Sequence, residues 1–421
     1  MPWPGTAAVV ISPVFVMKGT WHGKKRLCSN EVEMISPFLS GQDEWSPRVL
    51  WANANQSFQG SVVLGLGFTI SEEESQNLIK KDPKNAEVLH PYLNGDDLNS
   101  NPTQKPSRWV INFFDWPVAR DATGIWESAS EKERKAFFNV GHVPIDYPER
   151  VVKDFVDLYK LLDEKVRPER QRLDEKGEYV LRRPLPIRWW QYADKRPALY
   201  HSIGRGASFA RHPEGWETFK KPSKVIVVSL VQSYLKFCLV PNDAVFAHKL
   251  AVIVCENVFP VLSSLIFNVW ARSTSSTMGF GINFSPSDSY ETFPFPVTIS
   301  SALGELGEKY DALRRQIMTS RNIGLTALYN LFHNPAEKDA ELEEMRKLQR
   351  EIDEAVRDAY GWSDIDLGHG FHEVGYLPAN DNVRYTISEP ARIEILKRLS
   401  ALNRQRWEEE EAAGLHKKGK K

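Results

Sequence analysis

Between Pro91 and Pro117 the chain reads PYLNGDDLNSNPTQKPSRWVINFFDWP. Two clusters of turn-forming residues, Asn94-Gly95-Asp96-Asp97 and Asn99-Ser100-Asn101-Pro102, precede the apolar run Arg108-Trp109-Val110-Ile111-Asn112-Phe113. That run stops at Asp115-Trp116-Pro117. Gly, Asn, Asp and Pro favour tight backbone reversals, whereas β-branched and aromatic residues fit a pleated, half-buried surface. The bracketing predicts a short strand held between two loops. Asp96, Asp97 and the nearby His90 are residue types that move protons. Among so many turn residues, short carboxylates more readily cap their own backbone.

The rest of the chain mixes both kinds of element. Ala7 to Met17 reads as a buried strand interrupted by Pro13, and Val62 to Ile70 as a second strand. Ser71 followed three residues later by Glu74 predicts a helix start, and Asp82-Pro83 its end. Val151, Phe155, Leu158, Leu162 and Val166 recur at helical spacing and predict a long helix from Tyr147 to about Glu175, kinked or ended at Pro168. Arg188 to Tyr192 predicts a second, short helix. Lys224 to Val240 is rich in β-branched residues and predicts a hairpin, with Leu250 to Val254 returning after Pro241-Asn242-Asp243. Phe259 to Ala271 is helical in pattern, and Phe293-Pro294-Phe295-Pro296 reads as an extended connector. Beyond Ser300 the composition shifts to polar helices over 303–318, 336–360 and 391–413, with a short basic tail at 417–421. The fold class expected is α+β: a mixed β-sheet unit with inserted helices, then an α-helical unit. The expected divisions are 1–70, 71–299 and 300–421.

A hydrophobic share of 42% excludes a disordered chain, and 421 residues suit two or three domains. Three cysteines, Cys28, Cys238 and Cys255, lie far apart in sequence. With no C-x-x-C pair, no charged-then-apolar leader and no apolar run long enough to span a bilayer, a cytoplasmic protein without membrane contact is expected. The formal net charge is only -1, but residues 150–225 hold 18 Lys and Arg against 11 Asp and Glu. A basic middle between acidic flanks could follow a phosphate backbone, or could simply be solvated helix faces.

Few motifs carry catalytic chemistry. Gly60, Gly65 and Gly67 lack the spacing of a dinucleotide cradle and fit a bulged strand better. His369, His372 and Glu373 have ligand-like side chains without a further cluster to complete a metal site. The Asn-Pro steps at Asn101-Pro102 and Asn334-Pro335 do not continue into the Asn/Asp-Pro-Pro-aromatic motif of amino-methyltransferases. No paired-acid and lysine cluster for Mg2+ is evident. Contact residues are better represented. Lys165, Arg167, Arg170, Arg172, Arg182, Arg183, Arg188, Lys195 and Arg196 are interleaved with Trp189, Trp190 and Tyr192, a pattern that serves phosphates and base edges or, alternatively, an aromatic core with solvated arginines.

Several strings occur in a specific order: Pro2-Trp3-Pro4-Gly5-Thr6-Ala7, the 91–117 segment, Tyr147-Pro148-Glu149, Val166-Arg167-Pro168-Glu169-Arg170, Trp189-Trp190-Gln191-Tyr192 and Arg196-Pro197-Ala198-Leu199-Tyr200. SPSDSYETFPFP from Ser285 to Pro296 follows, then Gly324-Leu325-Thr326 with Leu328-Tyr329-Asn330, Ala359-Tyr360-Gly361-Trp362 and Arg384-Tyr385. Together they resemble the C-terminal part of the MmeI-like type IIG/IIL restriction–modification DNA adenine methyltransferases, over nearly the whole chain. The resemblance implies a target-recognition domain and a C-terminal helical domain, with 1–70 as the edge of the methyltransferase domain. The chain is then a C-terminal fragment or one subunit of a split enzyme; the implied partner is double-stranded DNA and, for a split enzyme, a separate methyltransferase or nuclease subunit. S-adenosylmethionine and Mg2+ are implied for the complete enzyme and not for this chain, which alone would be inactive. The basic residues above would hold phosphates. Base reading would fall to Trp270–Ser287, through Arg272, Ser273, Ser275, Ser276 and Asn283. Asn283-Phe284-Ser285 stands where relatives often carry Arg-Tyr-Thr, so the target sequence does not transfer. Two rivals remain open: an interaction or structural protein docking through 300–421, and a metal-dependent hydrolase using His90, Asp97 or His369.

Overall fold

The computed structural model describes residues 18–27, 30–32, 35, 46–211, 221–378 and 380–416. The fold is α+β. The expected strand over 7–17, the Pro2–Ala7 string and the basic tail at 417–421 lie outside the described residues.

The bracketed run forms the strand Arg108–Ile111, whose Val110 and Ile111 are fully buried. It pairs antiparallel with Leu89–Leu93 and with Thr69–Ile70. Val245–Phe246 adds to the far side of Leu89–Leu93 in parallel, completing four strands. The strand ends because Asn112 leaves the ladder. Its N–H donates to the Val88 carbonyl at 2.8 Å, its Oδ1 accepts from the Phe114 N–H at 2.9 Å, and Phe114 turns to φ +51°. The first turn cluster is one short helix, Gly95–Ser100. Asn94 Oδ1 accepts from the N–H groups of Asp96 and Asp97, and Asp97 Oδ2 accepts from the Asn94 N–H.

A second four-stranded sheet, wholly antiparallel, runs Cys238–Pro241, Lys224–Ser229, Leu250–Ile253, Ser57–Gln59. The β-branched run therefore supplies two strands of this sheet, with Val231–Gln232 joining another, and 250–253 returns against the 224–229 strand. Gly60 ends the outer strand where a Cβ would sit 2.2 Å from the Ala247 carbonyl oxygen, so the two backbones approach only because the side chain is absent. The expected strand over 62–70 contributes only Thr69–Ile70 to a ladder; Leu66–Phe68 is a single 3-10 turn.

The helix Glu72–Lys81 begins and ends as its sequence predicts, with Ser71 Oγ accepting from the Glu74 N–H at 3.0 Å. The long helix expected over 147–175 does not form. The N–H groups of Val152 and Lys153 are taken by the carbonyls of Pro117 and Val118, so helix starts only at Val156. Val156–Lys165 then gives way to a separate turn, Arg167–Arg170, at Pro168. The short helix expected at 188–192 is also absent. There, tertiary hydrogen bonds win over local propensity: Trp190 Nε1 and Gln191 Nε2 both donate to the Trp116 carbonyl, and the Tyr192 hydroxyl donates to the Ile111 carbonyl.

Beyond 300 lie the helices Ser301–Arg321, Leu325–Phe332, Ala340–Ala359 and Glu389–Ala412. Their buried faces join one apolar cluster with the 224–253 strands and the helix Leu265–Thr274, running from Leu93 to Leu399. A polar tie crosses the same seam: the buried Asp353 carboxylate accepts from the Leu265 N–H at 2.7 Å, from Gln349 Nε2 at 3.1 Å, and pairs with His369 Nε2 at 2.9 Å. A further clamp joins the last of these helices to the segment near 50. Asn403 bonds the N–H and carbonyl of Arg48, while Glu410 accepts from the N–H groups of Trp51 and Ala52.

Candidate nucleic-acid interface

The 166–196 segment divides sharply into anchored and free residues. Trp189, Trp190, Gln191 and Tyr192 are all buried. The aromatics interleaved with the basic residues therefore form the core beneath the segment. Trp190 packs so tightly that a Cβ on Gly141, itself at φ +80°, would lie 2.1 Å from its ring.

Arg170 departs most from its expected role. It is fully buried, and its guanidinium donates to the carbonyls of Val63 at 3.0 Å and Leu64 at 3.1 Å. It staples the 62–66 loop from within the core. Arg196 is likewise occupied, with Nε 3.2 Å from Asp194 and Nη2 donating to Gln59 Oε1 at 2.9 Å. Arg167 lies over the Trp189 ring at 5.4 Å, bonds Gln171 and pairs with Asp163 at 2.9 Å, yet stays at the surface.

Lys165, Arg172, Arg182 and Arg183 are exposed, and among the described residues none forms an ion pair. Three of them sit on or beside an exposed arm over 171–183. It is closed by a bridge between Leu173 and Tyr179 and turned by Gly177 at φ +80°. Asp174 accepts from the N–H groups of Lys176 and Glu178 and so fixes the turn. The turn thus presents cations to solvent on a defined backbone.

Arg188 and Lys195 lie where the arm rejoins the core. With Gln191 and Asp194 they line a cavity of about 220 Å³ between Pro184 and Pro197. Arg188 Nε is buried without a hydrogen-bond partner among the described residues. Burial, and then the charge of Arg188, hold the Lys195 ammonium down to about 8; its Nζ donates to Gln191 Oε1 at 2.9 Å. Arg211 acts electrostatically on both cations. The sequence reading did not include Arg211. Its chain position, outside the 165–196 cluster, gives no linear signal; it is brought in by Asp115, which accepts from the N–H groups of Ala210 and Arg211 and from Arg211 Nε.

The expected base-reading stretch also divides. Arg272 is turned inward: Nε donates to Asn268 Oδ1 at 3.1 Å, and the guanidinium covers the Tyr376 ring at 4.4 Å. Ser275 bonds Ser289 at 2.7 Å and Ser273 donates to the Trp270 carbonyl. Ser276 and Asn283 face each other across an exposed hairpin, Ser276–Met278 with Gly281–Asn283, and bond at 3.0 Å. At its tip Met278 is 62% and Phe280 49% exposed. The structure therefore brings Ser276 and Asn283 into contact and leaves Ser273 exposed, while Arg272, Ser275 and Asn283 are each half-buried.

The residues of the hydrolase reading are dispersed. His90 packs edge-on against Phe114, Asp97 caps a helix, and His369 holds Asp353. His372 bonds the Gly368 carbonyl. Among the described residues no helix is long and apolar enough to cross a membrane.

No family model matches this chain, and no curated protein matches it. Among solved structures it is similar to the type IIL restriction–modification enzyme MmeI in complex with DNA, at 16% identity and a TM-score of 0.47. The match covers 89% of this chain and 39% of that one, so the chain spans well under half the length of the enzyme it resembles.

Proposed function

We propose that this chain is a DNA-recognition module of a restriction–modification adenine methyltransferase, with methyl transfer supplied by catalytic machinery outside these residues. The observation that carries the reading is the exposed, unpaired set Lys165, Arg172, Arg182 and Arg183, held on and beside an arm whose turn is fixed by Asp174. The ordered strings shared with that enzyme group support it independently. Cations without internal partners are the groups that displace counterions from a phosphate backbone, whereas Arg170 and Arg196 serve the fold. The hairpin over 276–283 lies within the expected base-reading stretch, and Ser276 and Asn283 are its base-contact candidates. S-adenosylmethionine and Mg2+ chemistry belong, in this reading, to that catalytic machinery.

Fluorescence-anisotropy titration of randomised duplex, across a range of salt concentrations, tests the proposal. The expected result is binding that weakens steeply with salt, as phosphate contacts require. No binding at low salt, with or without a methyltransferase subunit encoded beside this chain, would overturn it.

A further inference from the structure

We infer that the cavity between Pro184 and Pro197 is an oxyanion pocket that takes a single phosphate group, gripped by Arg188 and Lys195 with Arg211 behind them. As a contact to a backbone phosphate, this rests on the DNA reading; as a phosphate site, it does not.

Charge at the cavity wall favours an anion. Arg188, Lys195, Arg196 and Arg211 converge on two carboxylates, Asp115 and Asp194. Both carboxylates are engaged. Asp115 is buried and accepts three hydrogen bonds from Ala210 and Arg211, while Asp194 pairs with Arg196 and accepts from its N–H. A surplus of positive charge remains at Arg188 and Lys195. The Arg188 Nε–H is buried with no acceptor among the described residues, so the guanidinium's charge stands uncompensated beside the cavity. The planar guanidinium presents paired N–H groups that fit two oxygens of a phosphate, and the ammonium adds a point charge beside it. The lowered proton affinity of Lys195 has the same origin: two cations share a desolvated cleft. A dianion between them reverses the repulsion. The cavity of about 220 Å³ has room for such a group. The Lys195–Gln191 bond sets the amine at its wall.

Isothermal titration of the full chain with inorganic phosphate, beside duplex titration over a salt series, tests the assignment. Saturable phosphate binding is expected in the unaltered chain. Arg188→Gln and Lys195→Gln each weaken it at least about tenfold and each lower the duplex salt slope by about one contact. Lys309→Gln, remote on an exposed helix face, serves as the control and changes neither. Arg188→Lys, which keeps the charge without the fork, restores part of the affinity. Phosphate binding without duplex binding supports the pocket and sinks the DNA reading. Duplex binding with an unchanged salt slope in Arg188→Gln and Lys195→Gln, and no phosphate binding, overturns the pocket and leaves the DNA reading standing.

Discussion

Arg170 and His333 show what burial does to a charged or ionisable side chain. Arg170 holds the Val63 and Leu64 carbonyls from inside the core. Arg170→Ala strips those acceptors of their donor and leaves a void, and is expected to destabilise the protein by about 3 kcal/mol in urea denaturation. At concentrations where the variant stays folded, its duplex affinity should equal that of the unaltered chain; a selective loss of binding would return Arg170 to the DNA face. His333 is buried, with Nδ1 accepting from the Tyr385 N–H at 3.1 Å, so the ring is neutral at that atom. Burial first, and then the charges of Lys236, Arg384, Arg272 and Arg346, hold its pKa well below the ordinary 6.5. The unfolded chain then takes up a proton that the folded chain refuses. Stability is fully present above pH 6.5 and falls as pH drops below it, by up to about 1.4 kcal/mol per pH unit. His333→Asn, which keeps an acceptor that does not titrate, should flatten the urea midpoint between pH 7.5 and 5.5; an unflattened profile would assign the acid sensitivity elsewhere.

At the scale of elements, the 171–183 arm and the 276–283 hairpin reach the surface by different routes. The arm follows a helix that Pro168 cuts short, and its turn is fixed by Asp174 and Gly177. Arg172→Gln, Arg182→Gln and Arg183→Gln should each reduce the duplex salt slope by about one, nearly alike across sequences, in the anisotropy series. Asn283→Ala should instead change the preference among duplexes; a uniform loss would make the hairpin a framework element. What sequence periodicity made visible here was local. Ser71, Asp82 and the helices after 300 announce themselves because their signals lie within a few residues of the structure they set. The 147–175 and 188–192 segments mislead because their outcome is decided by distant acceptors and donors, Pro117 and Val118 for one and Trp116 and Ile111 for the other. The candidate site has the same character. Residue types marked a basic segment over 165–196. They did not separate Arg170 from Arg172, because burial is set by the 62–66 loop about a hundred positions away.

On the scale of the whole molecule, the apolar cluster passes through the composition change at 300 without a break. The helices Ser301–Arg321 and Ala340–Ala359 cover strands and helices of the preceding part, and Asp353 ties down Leu265. A chain cut after 299 should therefore lose its cooperative transition in differential scanning calorimetry, and the intact chain should unfold with both parts together. A separate, native-like transition for the 46–299 fragment would instead establish independent units.

The Asn403 and Glu410 clamp onto Arg48, Trp51 and Ala52 has a consequence for synthesis. The two ends of the clamp are 355 positions apart between Arg48 and Asn403. At about 5–20 residues per second on the ribosome, the segment near 50 waits on the order of 20–70 s for its partner to emerge. During that interval the backbone groups of Arg48, Trp51 and Ala52 are without the side chains that hold them in the folded chain.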